Sequence, residues 1–370
     1  MRSPVPRDDG QKLFNTFAPQ ALTMKKINVA LSSFGMSGWV FHAPFIHAHP
    51  GFNLYGVWER SEKKAITTYP EIKSFDSLEA MLADDAVEFV IVNTPTYTHY
   101  DFAKKALQHR KHVLVEKAFT STVEEAKELV ELAKENNCLL GVFQNRRYDS
   151  DLKTVKKVLD EGLLGTIKEV EFHYDRFTLE LSPKAHKETT NPGSGLLHDL
   201  GPHLIDQSLY LFGMPHSVFG FIGTTRPQSV VNDYIDILLF YGGFNVRLKS
   251  GLIVKEPQPS FIVHGTNGSL LKPRADVQED ELKKGSKPGN PDWGREEEQG
   301  KGLLNILKDG ETVRTEIISE QGDYMELYNK WYDAIINNQP APVTGEDGVN
   351  VMRIIEAVQE SHNSKKVIVL

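Results

Sequence analysis

Residues 25–38, with the sequence KKINVALSSFGMSG, limit the folds open to this chain more than any other segment. An apolar run over 27–31 is long enough for one buried strand, and Gly35 and Gly38 follow it, before a segment rich in large apolar residues. A strand, a turn of small residues and a helix form the opening unit of a dinucleotide-binding fold. We expect Gly35 to let the backbone approach a pyrophosphate, and Gly38 to let the first helix pack closely on the first strand.

The glycine pattern departs at one position from the usual GxGxxG fingerprint. It reads SFGMSG, so that Ser33 stands where the first glycine belongs. Because the amides at the start of the helix would face a bound phosphate, we predict that Ser33, Gly35, Met36, Ser37 and Gly38 contact the cofactor. By itself the segment also fits an ordinary strand–helix turn, so the later segments decide between these two interpretations.

Apolar runs and helical patterns alternate along the first 146 residues. Further strands are predicted over 53–58, 87–92, 111–115 and 139–143, and helices over 77–84, 100–109 and 123–136. This alternation is typical of right-handed parallel crossovers, and it predicts a Rossmann domain over 24–146. Ligands of such sheets bind at the carboxyl ends of the strands, and Glu59, Thr94, Lys117 and Asn145 all fall there.

The end of the second predicted strand bears on the choice of cofactor. A carboxylate at Glu59 would accept hydrogen bonds from an adenosine ribose and repel a 2′-phosphate. The neighbouring Arg60 carries a guanidinium that could instead hold that phosphate. The sequence therefore predicts NAD or NADP, with Glu59 favouring NAD and Arg60 keeping NADP open.

The hydrophobic period changes in the second half of the chain. Residues 167–177 alternate apolar and polar side chains, which is typical of a strand with one covered face. Further strands are predicted over 219–224, 234–241, 246–253, 260–264 and 268–272, and helices over 150–161, 201–212, 326–337 and 347–362. Residues 273–302 are interpreted as a long loop. We predict an α/β protein whose second, α+β domain, over 147–370, is built on a large, mostly antiparallel open sheet.

Charge and composition exclude several classes of partner. The chain has 42 basic and 50 acidic residues, which argues against nucleic acid or an anionic membrane surface as its main partner. No apolar run approaches the ~20 residues of a membrane span, and a single cysteine fits a reducing, cytoplasmic location. Residues 1–23 lack the apolar centre of a secretion signal and are predicted to be a loose arm.

Three residues have side chains suited to hydride-transfer chemistry. Lys117 ends a strand, and Asp199 and His203 stand four residues apart in the segment GLLHDLGPHLIDQSLYLFG. Oxidation of an alcohol needs a base for the hydroxyl proton, and imidazole has a suitable pKa. A lysine can stabilise the developing alkoxide, and Asp199 can bind the substrate or orient the base. No cluster of histidines, cysteines or carboxylates has zinc spacing, so no metal is predicted.

Four segments, VLVEKAF, NTPTYTH, GVFQNRRYDSD and HDLGPHLIDQSLYLFG, resemble the Gfo/Idh/MocA family of NAD(P)-dependent oxidoreductases. Residues 272–294 and the C-terminal segment are similar to its scyllo-inositol dehydrogenase-like subgroup. The resemblance implies a sugar or cyclic polyol substrate and a homodimer or homotetramer formed through the second sheet. It also implies that Lys117 is the lysine of the family's EKP motif, and that Asp199 and His203 are its D-x3-H pair, with His203 as the acid/base.

The resemblance adds cofactor contacts and leaves several questions open. Thr94, Pro95 and His99 correspond to the family's TPxxxH segment beside the cofactor, and we include Glu116 and Asn145 among the predicted contacts. Ala118 replaces the EKP proline, so the isomer of the preceding peptide bond is open. Arg176 and Trp293 are predicted to line the substrate pocket. Two alternatives remain, namely a non-catalytic NAD(P)-binding sensor and an enzyme that uses tightly bound NAD for hydrolysis or elimination.

Overall fold

The computed structural model describes residues 24–184 and 187–370, and the predicted N-terminal arm lies outside these ranges. Two sheets organise the described chain. The first has six strands and the second has nine. The predicted combination of a Rossmann domain and a second domain with a mostly antiparallel sheet is confirmed.

The first sheet is entirely parallel, with strand order β3-β2-β1-β4-β5-β6. Its strands are β1 (Ile27–Leu31), β2 (Phe52–Trp58), β3 (Lys73–Phe75), β4 (Phe89–Val92), β5 (His112–Val115) and β6 (Leu140–Val142). The central strands are almost wholly apolar because both faces of a parallel sheet are buried. The strand order reverses between β1 and β4, and such a switch point is where ligands of open α/β sheets bind.

Helices connect the strands of the first sheet. They are α1 (Ala43–Ala48), α2 (Ala65–Thr68), α3 (Leu78–Leu82), α4 (His99–Gln108) and α5 (Val123–Glu135). A π-helical turn over Gly38–His42 leads directly into α1, and Pro44 is the second residue of α1. A capping box begins α5, with the side chain of Thr122 accepting from the amide of Glu125 at 3.2 Å.

The second sheet is antiparallel except for one parallel pair in its centre, β7 with β10. Its strands are β7 (Ile167–His173), β8 (Ser217–Gly223), β9 (Tyr234–Phe240), β10 (Asn245–Gly251), β11 (Phe261–Gly265), β12 (Gly268–Lys272), β13 (Gly302–Lys308), β14 (Glu311–Ile317) and β15 (Ile368–Val369). The spatial order is β14-β13-β12-β11-β7-β10-β9-β8-β15. Burial alternates along β9, as expected for a sheet with one covered face.

Helices pack on one face of the second sheet. The helices of this half are α6 (Ser150–Asp160), α7 (Leu196–Asp199), α8 (Gly201–Phe212), α9 (Gln278–Lys283), α10 (Met325–Asn337) and α11 (Gly345–Ser364). Of these, α6, α7, α8 and α11 contact strands of the sheet. On β8, Val218 is buried on that side, whereas Phe219 and Phe221 point to the other side and are 37% and 48% exposed.

The prediction of a long loop over 273–302 is wrong in part, because the segment is not all loop. It contains α9 and a 3-10 turn over Glu298–Gly300. The helical segment reads QEDELK, in which Leu282 is the only apolar residue. It therefore has no apolar periodicity from which a helix could be predicted. The hairpin of β13 and β14 was also not predicted, since β14 is a polar edge strand with nearly every side chain exposed.

Helix α10 packs on the first sheet, although its residues follow β14 of the second sheet in the chain. The ring of Trp331 stacks on Phe89 of β4 at 4.8 Å, and the hydroxyl of Tyr332 donates to the carbonyl of Lys25 at 2.9 Å. Helix α11 in turn contacts both α5 and β8. The last two helices therefore hold the two sheets against each other, along with the cleft between them.

A buried ion pair attaches α8 to the chain that leaves β6. The guanidinium of Arg147 donates to both carboxylate oxygens of Asp206, at 2.9 and 2.7 Å, and both side chains are less than a tenth exposed. Asp206 lies one helical turn after His203. The bidentate contact therefore fixes the orientation of the helix that carries His203.

Candidate active site

A cleft of about 770 Å³ lies between the carboxyl edge of the first sheet and the second domain. This volume is within the usual range for ligand sites. The first domain contributes the segments after β1, β4, β5 and β6, and the second contributes α7, α8 and the segment after β7. Most of the predicted site residues line it, namely Ser33, Gly35, Met36, Ser37, Thr94, Pro95, Glu116, Lys117, Asn145, Arg176, Asp199 and His203.

The turn after β1 is held by polar contacts. The hydroxyl of Ser33 accepts from the amide of Gly35 at 3.2 Å, and the side-chain amide of Asn93 donates to the carbonyl of Ser33 at 3.0 Å. A Cβ on Gly38 would lie 2.7 Å from that same carbonyl oxygen, so only glycine permits this approach. Ser33 does not have a positive φ, which explains why serine is accepted where the fingerprint has glycine.

Lys117 reaches across the cleft to α7. Its ammonium donates to the backbone carbonyl of Asp199 at 2.6 Å and to the carboxylate at 3.0 Å. Lys187 donates to the other carboxylate oxygen at 2.7 Å. Burial alone would raise the pKa of Asp199, but these two ammonium groups hold it far below its ordinary value. The peptide bond between Lys117 and Ala118 is cis.

His203 faces the same cleft from α8. It is 5% exposed, and its Nδ1 is buried with no hydrogen-bond partner among the described residues. Burial lowers the pKa of this imidazole well below its usual range, and the positive charges of Lys117 and Arg146 lower it further. His203 is therefore a neutral imidazole, the form that accepts a proton.

Glu116 ties the lysine segment to α10 through a buried chain of side chains. One carboxylate oxygen is 3.1 Å from Nε2 of His42, and the other accepts from the amide of Lys117 at 3.2 Å. Nδ1 of His42 lies 2.9 Å from the hydroxyl of Tyr328, which itself donates to the carbonyl of Phe41 at 2.6 Å. Because this hydroxyl donates to Phe41, it accepts from Nδ1 of His42. The chain of contacts therefore runs from Glu116 through His42 to Tyr328 of α10.

Two successive parts of the chain match models of one family. Residues 27–144 match the model described as the NAD-binding Rossmann fold of the oxidoreductase family Gfo/Idh/MocA, and residues 156–370 match the model of its C-terminal alpha/beta domain. This protein belongs to the Gfo/Idh/MocA family. It is an NAD(P)-dependent oxidoreductase, and the family resemblance predicted from its motifs is confirmed.

Similar proteins cover both domains of this Gfo/Idh/MocA oxidoreductase. Scyllo-inositol 2-dehydrogenase (NADP(+)) IolW of Bacillus subtilis strain 168 is 35% identical over 344 residues, which are 93% of this chain and 96% of IolW. An uncharacterized oxidoreductase of Schizosaccharomyces pombe is 37% identical over 362 residues, 92% of this chain and 98% of the relative. The solved structure of the Bacillus subtilis oxidoreductase yvaA has a TM-score of 0.88 at 35% identity, and covers 94% of this chain and 100% of that one.

The cleft of this family member fits a dinucleotide. The turn after β1 supplies a close backbone approach at the switch point of the sheet. Beside it, Oδ1 of Asn93 is buried without a hydrogen-bond partner among the described residues. Within residues 24–184 and 187–370, no trio of His, Cys, Asp or Glu side chains is arranged to hold a metal ion. In the same ranges, no helix combines the length and apolar character that crossing a membrane requires.

Five predicted site residues do not line the cleft. They are Gly38, Glu59, Arg60, His99 and Trp293. His99 is fully buried behind it, with its ring nitrogens 2.9 Å from the carbonyl of Ala118 and 2.8 Å from that of Thr94. It therefore positions the lysine segment relative to the β4 loop. Trp293 was predicted to line the substrate pocket, but it does not line the cleft. Its ring is buried against Phe45 and its indole N–H donates to Gln278.

Glu59 has a structural role that was not predicted from the sequence. Its two carboxylate oxygens accept from the amides of Lys64 and Ala65, at 3.0 and 3.1 Å, at the start of α2. A carboxylate so placed satisfies amides at a helix start. Arg60 is exposed, and it forms no ion pair with any described residue. The carboxylate on which the preference for NAD rested is thus engaged with α2, whereas the guanidinium of Arg60 is exposed to solvent.

Several lining residues were missed from the sequence. They are Arg146, Tyr174, Lys184, Lys187, His198 and Glu279. Most lie on loops or at the ends of elements, so no period or spacing distinguishes them from surface charges. Arg146 directly follows the predicted Asn145 and lies within the motif GVFQNRRYDSD, so this motif was the signal that could have identified it.

Proposed function

We propose that this oxidoreductase oxidises a secondary hydroxyl of a sugar or cyclic polyol, or reduces the corresponding ketone, with Lys117, Asp199 and His203 as its catalytic group. The observation that supports it most is the convergence of these three side chains in one cleft, at the carboxyl edge of the cofactor domain. A bound nicotinamide accepts or supplies the hydride. The residues of the chain must therefore handle the proton and the charge on the substrate oxygen.

Different side chains accept the hydroxyl proton and stabilise the negative charge on the substrate oxygen. His203, neutral at physiological pH, accepts the hydroxyl proton at Nε2, the ring nitrogen that is not enclosed. The ammonium of Lys117 donates to the substrate oxygen as negative charge develops on it. Asp199 holds that ammonium in place through its carbonyl and carboxylate. In the reverse direction, the imidazolium returns its proton to the ketone oxygen.

A panel of substrates tests this assignment directly. Inositols and common aldoses are offered with NAD⁺ and NADP⁺ separately, and formation of the reduced nicotinamide is followed by absorbance. We expect turnover with at least one cyclic polyol or aldose. Tight cofactor binding without reduction across the whole panel would contradict the proposal and favour a sensor.

We further propose that NADP is the preferred cofactor. The support is the engagement of Glu59 with the amides of α2, which leaves Arg60 as the open charged group after β2. The similar protein IolW is named as an NADP⁺ enzyme. A guanidinium binds a phosphate through charge-assisted hydrogen bonds, and such a contact discriminates against a cofactor that lacks the phosphate.

Replacing Arg60 by alanine is expected to raise the KM for NADP⁺ roughly 10- to 100-fold, because a hydrogen bond to a charged group contributes about 1.5–3 kcal/mol. The KM for NAD⁺ should change less than about twofold, since NAD⁺ has no group for Arg60 to bind. Steady-state kinetics with both cofactors measure this. Arg314→Ala, which removes an exposed guanidinium from β14, is the matched control. Equal losses with both cofactors would contradict the role of Arg60.

We also propose that the open face of the second sheet is covered by a second copy of the chain. Phe219 and Phe221 lie exposed on that face, and an exposed apolar patch on a sheet marks an interaction surface. Phe221→Glu is expected to convert the oligomer to monomer in sedimentation velocity. Ile318→Glu, at an apolar residue that is 85% exposed outside the strands, should leave the assembly intact. A wild-type monomer at micromolar concentration would refute this part.

A further inference from the structure

The second-domain wall of the cleft has positive charges that are not paired with any carboxylate of the described residues. Arg176 and Lys184 both line the cleft and are both exposed. Neither side chain has a carboxylate oxygen within 4.0 Å among the described residues, although most lysines and arginines lining the cleft do. Cations left free in a concave site are available to a ligand.

Arg176 is held on a rigid part of the sheet. Its amide donates to the carbonyl of Gly251 at 2.9 Å, and an isolated bridge joins Phe177 to Ile253 directly after it. Its guanidinium lies 5.1 Å from the centre of the Tyr174 ring. This strand extension holds the backbone of Arg176 in place, and the Tyr174 ring is the neighbour of its guanidinium.

Tyr174 is surrounded by guanidinium groups. Arg274 lies 4.0 Å and Arg146 lies 5.9 Å from its ring centre, in addition to Arg176. Burial alone would raise the pKa of this tyrosine, but the three positive charges together lower it below its ordinary value. Arg146 and Arg274 both lie within ion-pair distance of the Asp149 carboxylate, at 3.4 and 3.8 Å. Arg176 therefore supplies the charge without a described counter-charge, and this charge gives its part of the cleft a positive potential that favours a negative group.

The positive potential extends toward the catalytic lysine. Lys117 and Lys187 share the single carboxylate of Asp199, and Lys184 stands close enough to both ammonium groups to feel their charges. The pKa of Lys184 is lowered by burial and by Lys187. Three ammonium groups around one carboxylate leave an excess of positive charge beside the position of the reacting hydroxyl.

The carboxylates of the cleft do not cancel this excess. The carboxylate of Glu116 contacts His42 and accepts from the amide of Lys117. Glu279 is paired with Arg146 and Lys283, and Glu188 is paired with Arg226. Glu180 is exposed at the rim, with no ion pair among the described residues. A single rim carboxylate leaves both Arg176 and Lys184 with capacity for a further anion.

We propose that Arg176 and Lys184 bind an anionic group of the substrate, a carboxylate or a phosphate, so that the preferred substrate is an acidic sugar or polyol. The inference rests on the proposed oxidoreductase function and specifies its substrate class. These two residues belong to the second domain, whereas the turn of Ser33 and Gly35 lies on the first. The charge at Arg176 and Lys184 thus serves the substrate and not the pyrophosphate of the cofactor.

The test compares matched neutral and acidic substrates in wild type and in Arg176→Gln and Lys184→Gln. The acidic arms are a hexose phosphate and a hexuronate, and the neutral arm is the parent hexose. Wild type is expected to have a kcat/KM at least about tenfold higher for one acidic arm. Each variant should lose roughly 10- to 100-fold in kcat/KM for that arm, through KM, and stay within about twofold for the neutral sugar.

The two acidic arms identify the source of the negative charge. Arg314→Gln is the matched control, and its kinetics should equal those of wild type. Equal kcat/KM for neutral and acidic sugars in wild type would overturn the inference while leaving the oxidoreductase function intact. A rise in the KM for NADP⁺, without a change for the sugar, would overturn it by assigning both charges to the cofactor.

A binding measurement separates this inference from the proposed function. Calorimetric titration of the NADP⁺-saturated protein with the hexose phosphate and the hexuronate needs no turnover. Binding that is lost in Arg176→Gln supports the anion site even where no sugar is oxidised, and that pattern would refute only the proposed reaction. No detectable binding of either acid refutes the anion site.

Discussion

Replacing Lys117 by alanine is expected to lower kcat about 10³-fold while NADP⁺ binding survives. The ammonium is the positive group that the structure holds at the carboxyl edge of the sheet, at 2.6 and 3.0 Å from its two partner oxygens on Asp199. Removing one electrostatic donor from a water-excluded site costs about 10²–10³ in rate. Stopped-flow and steady-state assays give kcat, and fluorescence titration gives the Kd for the cofactor.

The partner residues keep this experiment specific to the reaction. In Lys117→Ala, Asp199 retains its ion pair with Lys187, so its carboxylate is not left without a counter-charge. Lys308→Ala, on an exposed side chain of β13, is the control and should have wild-type kinetics. Undiminished turnover in Lys117→Ala would contradict the assigned role, whereas loss of cofactor affinity with unchanged kcat would make Lys117 a binding residue.

Replacing His203 by asparagine is expected to lower kcat for alcohol oxidation about 10²–10⁴-fold, the usual range for loss of a general base. The pH profile gives a signature that a purely structural role would not produce. Because burial and the charges of Lys117 and Arg146 lower the pKa of His203, its neutral form persists below pH 6.5. The wild-type kcat/KM should therefore stay level as the pH falls from 8 to 6.5 and decline only below.

The His203→Asn variant should lack this decline of kcat/KM at acid pH, which is the acid limb of the pH profile. His109→Asn, an exposed histidine at the end of α4, is the control and should keep the wild-type profile. A wild-type acid limb centred above pH 6.5 would show that burial does not lower the pKa of His203 in the working enzyme. An identical limb in the variant would assign the titration to another group.

The fold was predictable where local pattern and tertiary environment agree. The strands of the parallel sheet are apolar throughout because they are buried on both faces, and the capping box of α5 is a local interaction between Thr122 and Glu125. The polar helix α9 and the edge strand β14 escaped prediction, because little of their surface is buried and no apolar period results. The contacts of α10 with the first sheet were not predicted, since its apolar face does not specify which sheet covers it.

The residues at strand ends were the predictable part of the site. Topology alone brings the carboxyl ends of parallel strands to one edge, which is why Thr94 and Lys117 line the cleft as expected. Glu59 also ends a strand, yet its carboxylate accepts from the amides of α2. Trp293 looked available in a polar segment, but the fold buries its indole against Phe45.

The order of residues alone determined the family, the nucleotide-binding sheet and the types of side chain available for chemistry, because each of these follows from short segments of the chain. Tertiary structure decided which charges are neutralised. Lys117 and Lys187 share one carboxylate, whereas Arg176 and Lys184 pair with none in the part of the chain that the structure describes. The physical reason is that electrostatic pairing acts over a few ångströms in space, and residues as far apart in sequence as Lys117 and Asp199 come within that distance only when both domains have folded against each other.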